Sequence, residues 1–227
     1  MLEDALGSSP TTCNCLPFPW TSNEQVSDLV SKIESHGGTK KNDKELTRGE
    51  KSVAYSHRWP VLRHGTRAPN FRLKATTDKI ISLDEFRLSP LVLVFYPADF
   101  SPVCGDEVTL FNEVLPEFSR FNAQLLGISV DNIWSHKAFS EARNLRFPLL
   151  SDFRPKGEVA RKYGVFAEQD DTAQRALFVI DGNGIIRWSY VSPNEVNPGV
   201  NGVLAELESL AAEESQEGGP DIKNRVI

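Results

Sequence analysis

The spacing of hydrophobic residues changes at about residue 61 of the 227-residue chain. Upstream, residues 1–20 are rich in Pro, Ser and Thr and show no sustained period, which reads as loop or disorder. Val26, Leu29, Val30 and Ile33 then recur at i, i+3, i+4 and i+7, one face of a short amphipathic helix that His36 and Gly37-Gly38 would close. The stretch "TKKNDKELTRGEKS" is almost wholly polar and reads as an exposed linker.

From Val61 onward, apolar runs alternate between strand-like and helix-like spacing. "APNFRLKATTDKIISLDEF" predicts a short strand pair leading to a helical turn, and the continuous run "LVLVFYP" a strand buried on both faces. In "EVTLFNEVLPEFSRF", Leu110, Phe111, Val114, Leu115 and Phe118 share one helical side, with Pro116 as a kink. "QLLGISVD" is a strand, "WSHKAFSEARNL" a helix, "FPLLSD" a short strand and "GEVARKYG" a short helix stopped by Gly164. "RALFVI" and "IIRWSYV" flank Asp181-Gly182-Asn183-Gly184, a strong hairpin signal, and "NGVLAELESLAA" supplies a last helix. The order predicts an α/β protein of thioredoxin-like fold, with a central mixed β-sheet flanked by helices. Three segments follow: an N-terminal extension over 1–60, partly disordered with one short helix, a domain over 61–212, and a flexible tail over 213–227.

Charge narrows the partners. A net charge of -6 gives no broad attraction for phosphate backbones or anionic membrane surfaces. No apolar run approaches the roughly 20 residues that span a bilayer, and "MLEDALGSSP" carries acids where a targeting peptide would carry Lys or Arg. A cytoplasmic protein without nucleic-acid or membrane partners is expected. The three cysteines, Cys13, Cys15 and Cys104, are too few for a secreted disulfide framework, so each is core residue, metal ligand or reactive thiol. One Cys-x-Cys and four scattered histidines, His36, His57, His64 and His136, lack a ligand spacing, so no metal is predicted. His57 and His64 read as surface or packing residues.

Cys104 lies where the buried strand has ended and a helix begins, with Ser101 placed as N-cap and Pro102 at the first helical position. A sulfur there faces free backbone N–H groups and the positive end of a helix dipole, both of which favour thiolate. A core cysteine would sit inside an apolar stripe, whereas Cys104 sits between turn residues and "GDE". Dithiol exchange needs a second thiol three residues away, and Ser101 and Glu107 occupy those positions. Cys104 must therefore pass its chemistry to a small acceptor or await an outside thiol. Peroxide meets this demand, because a thiolate attacking one oxygen expels the other and leaves a reducible sulfenic acid.

At these residues a resemblance enters. "YPADFSPVCGDE" is similar to the active-site segment of the peroxiredoxins: a Pro, then Ser or Thr, then the peroxidatic Cys, with an acid beyond. "APNFRL", "GISVD", "FPLLSDFRPKGEVARKYGVF" and "RALFVIDGNGIIRWSYV" resemble further segments of that family over roughly 61–212, nearest the bacterial one-cysteine group related to alkyl hydroperoxide reductase E. The resemblance implies a thiol peroxidase that reduces hydrogen peroxide, alkyl hydroperoxides or peroxynitrite without metal, haem, flavin or other cofactor, as a homodimer. Residue by residue, it implies that Cys104 attacks, Pro97 shields the sulfur, Ser101 hydrogen-bonds peroxide and Arg175 brings a fixed positive charge. Glu107 would hold that arginine in place, or else merely complement the helix dipole. Ser101 departs from the commoner Thr, keeping the hydroxyl but losing the methyl that restricts its rotamer.

No cysteine follows Cys104, and Thr109 stands where one subgroup keeps a partner thiol. An external reductant is expected: thioredoxin, glutaredoxin or a low-molecular-weight thiol. Cys13 and Cys15 are either resolving thiols on a flexible arm or simply unpaired. Two other functions fit parts of the pattern: a thiol-disulfide oxidoreductase using Cys13 and Cys15, and a redox-sensing or holdase-type interaction protein.

Overall fold

The computed structural model describes residues 60–217. The predicted helix near residues 26–33, the polar linker, Cys13 and Cys15 lie outside the described residues. The strands are β1 (Arg72–Lys74), β2 (Ile80–Ser82), β3 (Leu91–Phe95), β4 (Gln124–Ser129), β5 (Leu149–Ser151), β6 (Phe166–Ala167), β7 (Thr172–Ala173), β8 (Arg175–Ile180) and β9 (Ile186–Ser192). The helices are α1 (Pro102–Glu113), α2 (Leu115–Arg120), α3 (Ile133–Arg143), α4 (Glu158–Lys162) and α5 (Asn201–Glu217), with a 3-10 turn at Leu83–Phe86.

Seven strands form one sheet in the order β2-β1-β5-β4-β3-β8-β9, and β6 pairs with β7 separately. β3 and β4 are parallel, as are β4 and β5, while β8 runs antiparallel to both β3 and β9. This is the mixed, thioredoxin-like α/β sheet that the element order predicts. Every residue of β3 is buried, and alternate side chains serve opposite faces. Leu91, Leu93 and Phe95 join Val159 and Ala160 of α4 with Tyr163, whereas Val92 and Val94 join Val108 and Phe111 of α1, Phe139 of α3 and Val203 and Leu207 of α5. Burial on both faces is why this strand reads as an unbroken apolar run.

Three local features differ from expectation. The helix predicted through Pro116 is two helices, and the break falls at Val114 (φ -90°, ψ 8°) rather than at the proline. Pro116 occupies the first turn of α2, where its missing N–H costs nothing, and the Asn112 carbonyl accepts instead from Arg146 Nη2 at 3.0 Å. The tail predicted from residue 213 does not begin there: α5 continues to Glu217, and Glu213 pairs with Arg187 Nη2 on β9 at 2.5 Å. The β6–β7 pair is unpredicted, because two-residue strands carry no period.

α4 lacks a side-chain cap of its own, since its N-cap is Gly157. The buried Asp152 carboxylate supplies one by accepting from the backbone N–H groups of Val159 at 3.1 Å and Ala160 at 2.9 Å. Burial raises that carboxyl to about 6, against the pull of the two N–H groups. At the other end of α4, Gly164 adopts φ +73°, and a Cβ there would lie 2.2 Å from the Pro60 carbonyl oxygen. Backbone on both sides of that contact leaves no room to yield. Gly164→Ala is therefore expected to lower stability by about 2 kcal/mol or more, read as a shifted urea midpoint with unchanged slope.

Candidate active site

Strand register decides which residues meet. β8 is antiparallel to β3 with Ala176 opposite Phe95, so Arg175 opens β8 where β3 ends and the chain turns toward α1. Across the hairpin Arg175 faces Ser192, which places Asn194, just past β9, beside it. Cys104, in the first turn of α1, completes the meeting point of three chain segments.

Ser101 is the N-cap of α1 and accepts the Cys104 backbone N–H at 3.3 Å, with Pro102 at the start of the helix. The Cys104 side chain is 0% exposed and receives Arg175 Nη2 at 3.3 Å from its sulfur. Arg175 is itself 1% exposed. Its Nη1 donates to Glu107 Oε2, while Nε and Nη2 donate to the Asn194 carbonyl at 3.2 and 2.9 Å. The Arg175 backbone N–H donates to Asn194 Oδ1 at 3.4 Å.

Cys104, Ser101, Glu107 and Arg175 thus form one cluster, and Glu107 faces the arginine rather than solvent. Pro97 is half-buried in the loop that leads to Ser101. His64 is exposed, its Nδ1 2.7 Å from the Arg187 carbonyl on β9. Asn194 could not be read from the sequence, because its main contribution is a backbone carbonyl, which every residue possesses. A second buried group also went unpredicted: Tyr96 donates to Asp99 at 2.9 Å, and Asp99 pairs with His136 Nδ1 at 3.0 Å.

Glu107 is fully buried, and its Oε1 has no hydrogen-bond partner among the described residues. Burial pushes its carboxyl up to about 7, with the Arg175 guanidinium pulling the other way. Burial and the Asp99 carboxylate push the Tyr96 hydroxyl well above its usual range, so it serves as a donor. Among the described residues Cys104 is the only free thiol, and no three His, Cys, Asp or Glu side chains gather as metal ligands.

Among the described residues the thiol under the buried guanidinium has no partner for dithiol exchange, and a cation beside sulfur suits attack on a small oxidant. The class defined in this way is the thiol-dependent peroxidases. The AhpC/TSA family model matches residues 64–189, more than half of the chain. A peroxiredoxin of Hyperthermus butylicus is 37% identical over 153 residues, covering 64% of this chain and 65% of that protein. The chain thus spans just under two thirds of the length of that relative. Alkyl hydroperoxide reductase E of Mycobacterium tuberculosis is 38% identical over 138 residues, covering 60% of this chain and 90% of the relative. Among solved structures, Mycobacterium tuberculosis AhpC superposes with a TM-score of 0.61 at 29% identity, covering 68% of this chain and 96% of that one. A reduced 2-Cys peroxiredoxin of Plasmodium vivax gives 0.63 at 28%, covering 73% and 92%. The chain belongs to the AhpC/TSA family and is a peroxiredoxin-type, thiol-dependent peroxidase.

The buried carboxyl carries a stability signature. With a native value of about 7 against an ordinary 4.5, folded Glu107 retains a proton that the unfolded chain releases. Its contribution is fully present below about pH 4.5 and is lost as pH rises through about 7. Between pH 5 and 8 the wild type should lose stability relative to Glu107→Gln, by on the order of 1–3 kcal/mol in urea titrations.

Proposed function

We propose that Cys104 is the peroxidatic cysteine and that this chain reduces hydrogen peroxide and organic hydroperoxides. The observation that carries the reading is the 3.3 Å approach of the buried Arg175 guanidinium to the buried Cys104 sulfur. A fixed cation there stabilises the negative charge that passes between sulfur and the peroxide oxygens during the reaction, the more strongly for being buried.

In the proposed cycle the thiolate attacks the hydroxyl-bearing oxygen of ROOH. An S–O bond forms, the O–O bond breaks and RO⁻ leaves, taking a proton from solvent to become ROH. The sulfur is oxidised to Cys–SOH and the peroxide is reduced. Arg175 has five N–H donors, and its bonds to Glu107, Asn194 and Cys104 leave one Nη1 N–H for the departing oxygen. The Ser101 hydroxyl can accept the Cys104 N–H and donate to peroxide at once. Glu107 keeps the guanidinium from turning away, and Pro97 limits water at the sulfur. Two equivalents of an external thiol, from thioredoxin, glutaredoxin or a small thiol, then return Cys–SH, a disulfide and water. A homodimer acting in the cytoplasm, in peroxide defence and redox homeostasis, is part of the same proposal.

Single-turnover peroxide consumption tests it. Cys104→Ser should abolish the rapid reaction, whereas Cys13→Ser with Cys15→Ser should leave it intact. Survival of the reaction in Cys104→Ser, or its loss in the double variant alone, would assign the chemistry to the N-terminal thiols. Arg175→Met should slow the step by about 10²–10³-fold, the usual effect of removing a donor aimed at developing negative charge. Ser101→Thr should retain the reaction and Ser101→Ala should weaken it.

A further inference from the structure

The loop between β3 and α1 is held in a conformation that its residues would not choose alone. Phe100 sits at φ +59°, the left-handed region that a bulky aromatic side chain disfavours, immediately before the helix cap Ser101. Such a conformation persists only where its surroundings over-determine it, and here the surroundings converge on Asp99. The Asp99 backbone N–H donates to Asp131 Oδ2 at 2.9 Å, and Ser129 Oγ fixes that carboxylate at 2.7 Å. The Asp99 side chain accepts from Tyr96 OH at 2.9 Å and lies 3.0 and 3.2 Å from His136 Nδ1. The Phe100 ring packs 5.1 Å from that of Phe139, on the same helix as His136.

His136 is 2% exposed, and its Nε2 is buried without a hydrogen-bond partner among the described residues. Buried polar atoms are ordinarily satisfied. This imidazole leaves one nitrogen unused and commits the other to Asp99, which assigns the proton to Nδ1. The contact with Asp99 is thus the one polar contact of this side chain among the described residues.

We propose that His136 is a positioning residue for the peroxide reaction, acting through Asp99 to hold the loop that presents Pro97 and Ser101 to the Cys104 sulfur. The inference rests on the peroxidatic role of Cys104 proposed above. It separates two reactions of one thiol. Peroxide needs the Ser101 hydroxyl in register with sulfur, whereas alkylation by iodoacetamide needs only access and a thiolate.

The test compares His136→Leu, His136→Asn and His136→Gln with wild type, measuring the second-order rates with hydrogen peroxide and with iodoacetamide and the thermal midpoint. His136→Leu should lose about tenfold or more with peroxide while its alkylation rate stays within about threefold. Asn carries an amide N–H near the position of Nδ1 and should recover most of the peroxide rate, whereas Gln, whose amide reaches farther, should not. If the Leu variant fails to fold, the Asn–Gln contrast decides alone. An unchanged peroxide rate, parallel losses in both reactions, or no advantage of Asn over Gln overturns the proposal. Wild-type protein that reacts with peroxide no faster than Cys104→Ser overturns the underlying reading, and this inference with it.

Discussion

A guanidinium with 1% exposure is the constraint around which the site is built. Stripping an ion of its water costs several kcal/mol, and a buried pair seldom returns more than it costs. Arg175 meets that cost with a carboxylate from α1, a backbone carbonyl from beyond β9 and a sulfur. Replacing the group with hydrocarbon would be the easier way to stabilise a core. The burial of Arg175 with Glu107 and Cys104 therefore points to chemistry rather than to stability.

The same pocket explains why two levels of restraint surround the sulfur. Glu107 and Asn194 fix the arginine from one side. On the other, Asp99 ties the β3–α1 loop to the end of β4 and to α3 through Asp131 and His136. The N-cap bond from Cys104 to Ser101 lies between the two groups. The restraints come from α1, from α3 and from the segments that follow β4 and β9, so the loop is held by the framework and not by its own preferences, as the left-handed Phe100 attests.

Much of this was legible in the residues themselves, and the exceptions share a cause. β3 and the β8–β9 hairpin were readable because unbroken burial and the Asp-Gly-Asn-Gly turn leave local marks. Ser101 and Cys104 lie within one segment, where helix-start chemistry names them, whereas the role of Glu107 came with the family resemblance. Arg175 came only with the family resemblance, since an arginine at a strand end carries no mark of its own. Asn194 acts through its carbonyl, and the bond of His136 to Asp99 spans a separation of 37 residues, which no local pattern encodes. The break at Val114 and the added turns of α5 meet Arg146 and Arg187, partners supplied by the tertiary fold.

The contact between Arg175 and Cys104 joins residues 71 apart, and that between Arg175 and Glu107 residues 68 apart. Neither can form until β8 has inserted beside β3, a non-local pairing whose loop-closure entropy must be met before any reward arrives. The cluster of Arg175, Glu107 and Cys104 is thus a late product of folding. An excised peptide carrying the cysteine segment would lack the guanidinium, and during synthesis the sulfur can meet its arginine only once the hairpin that carries it has left the ribosome.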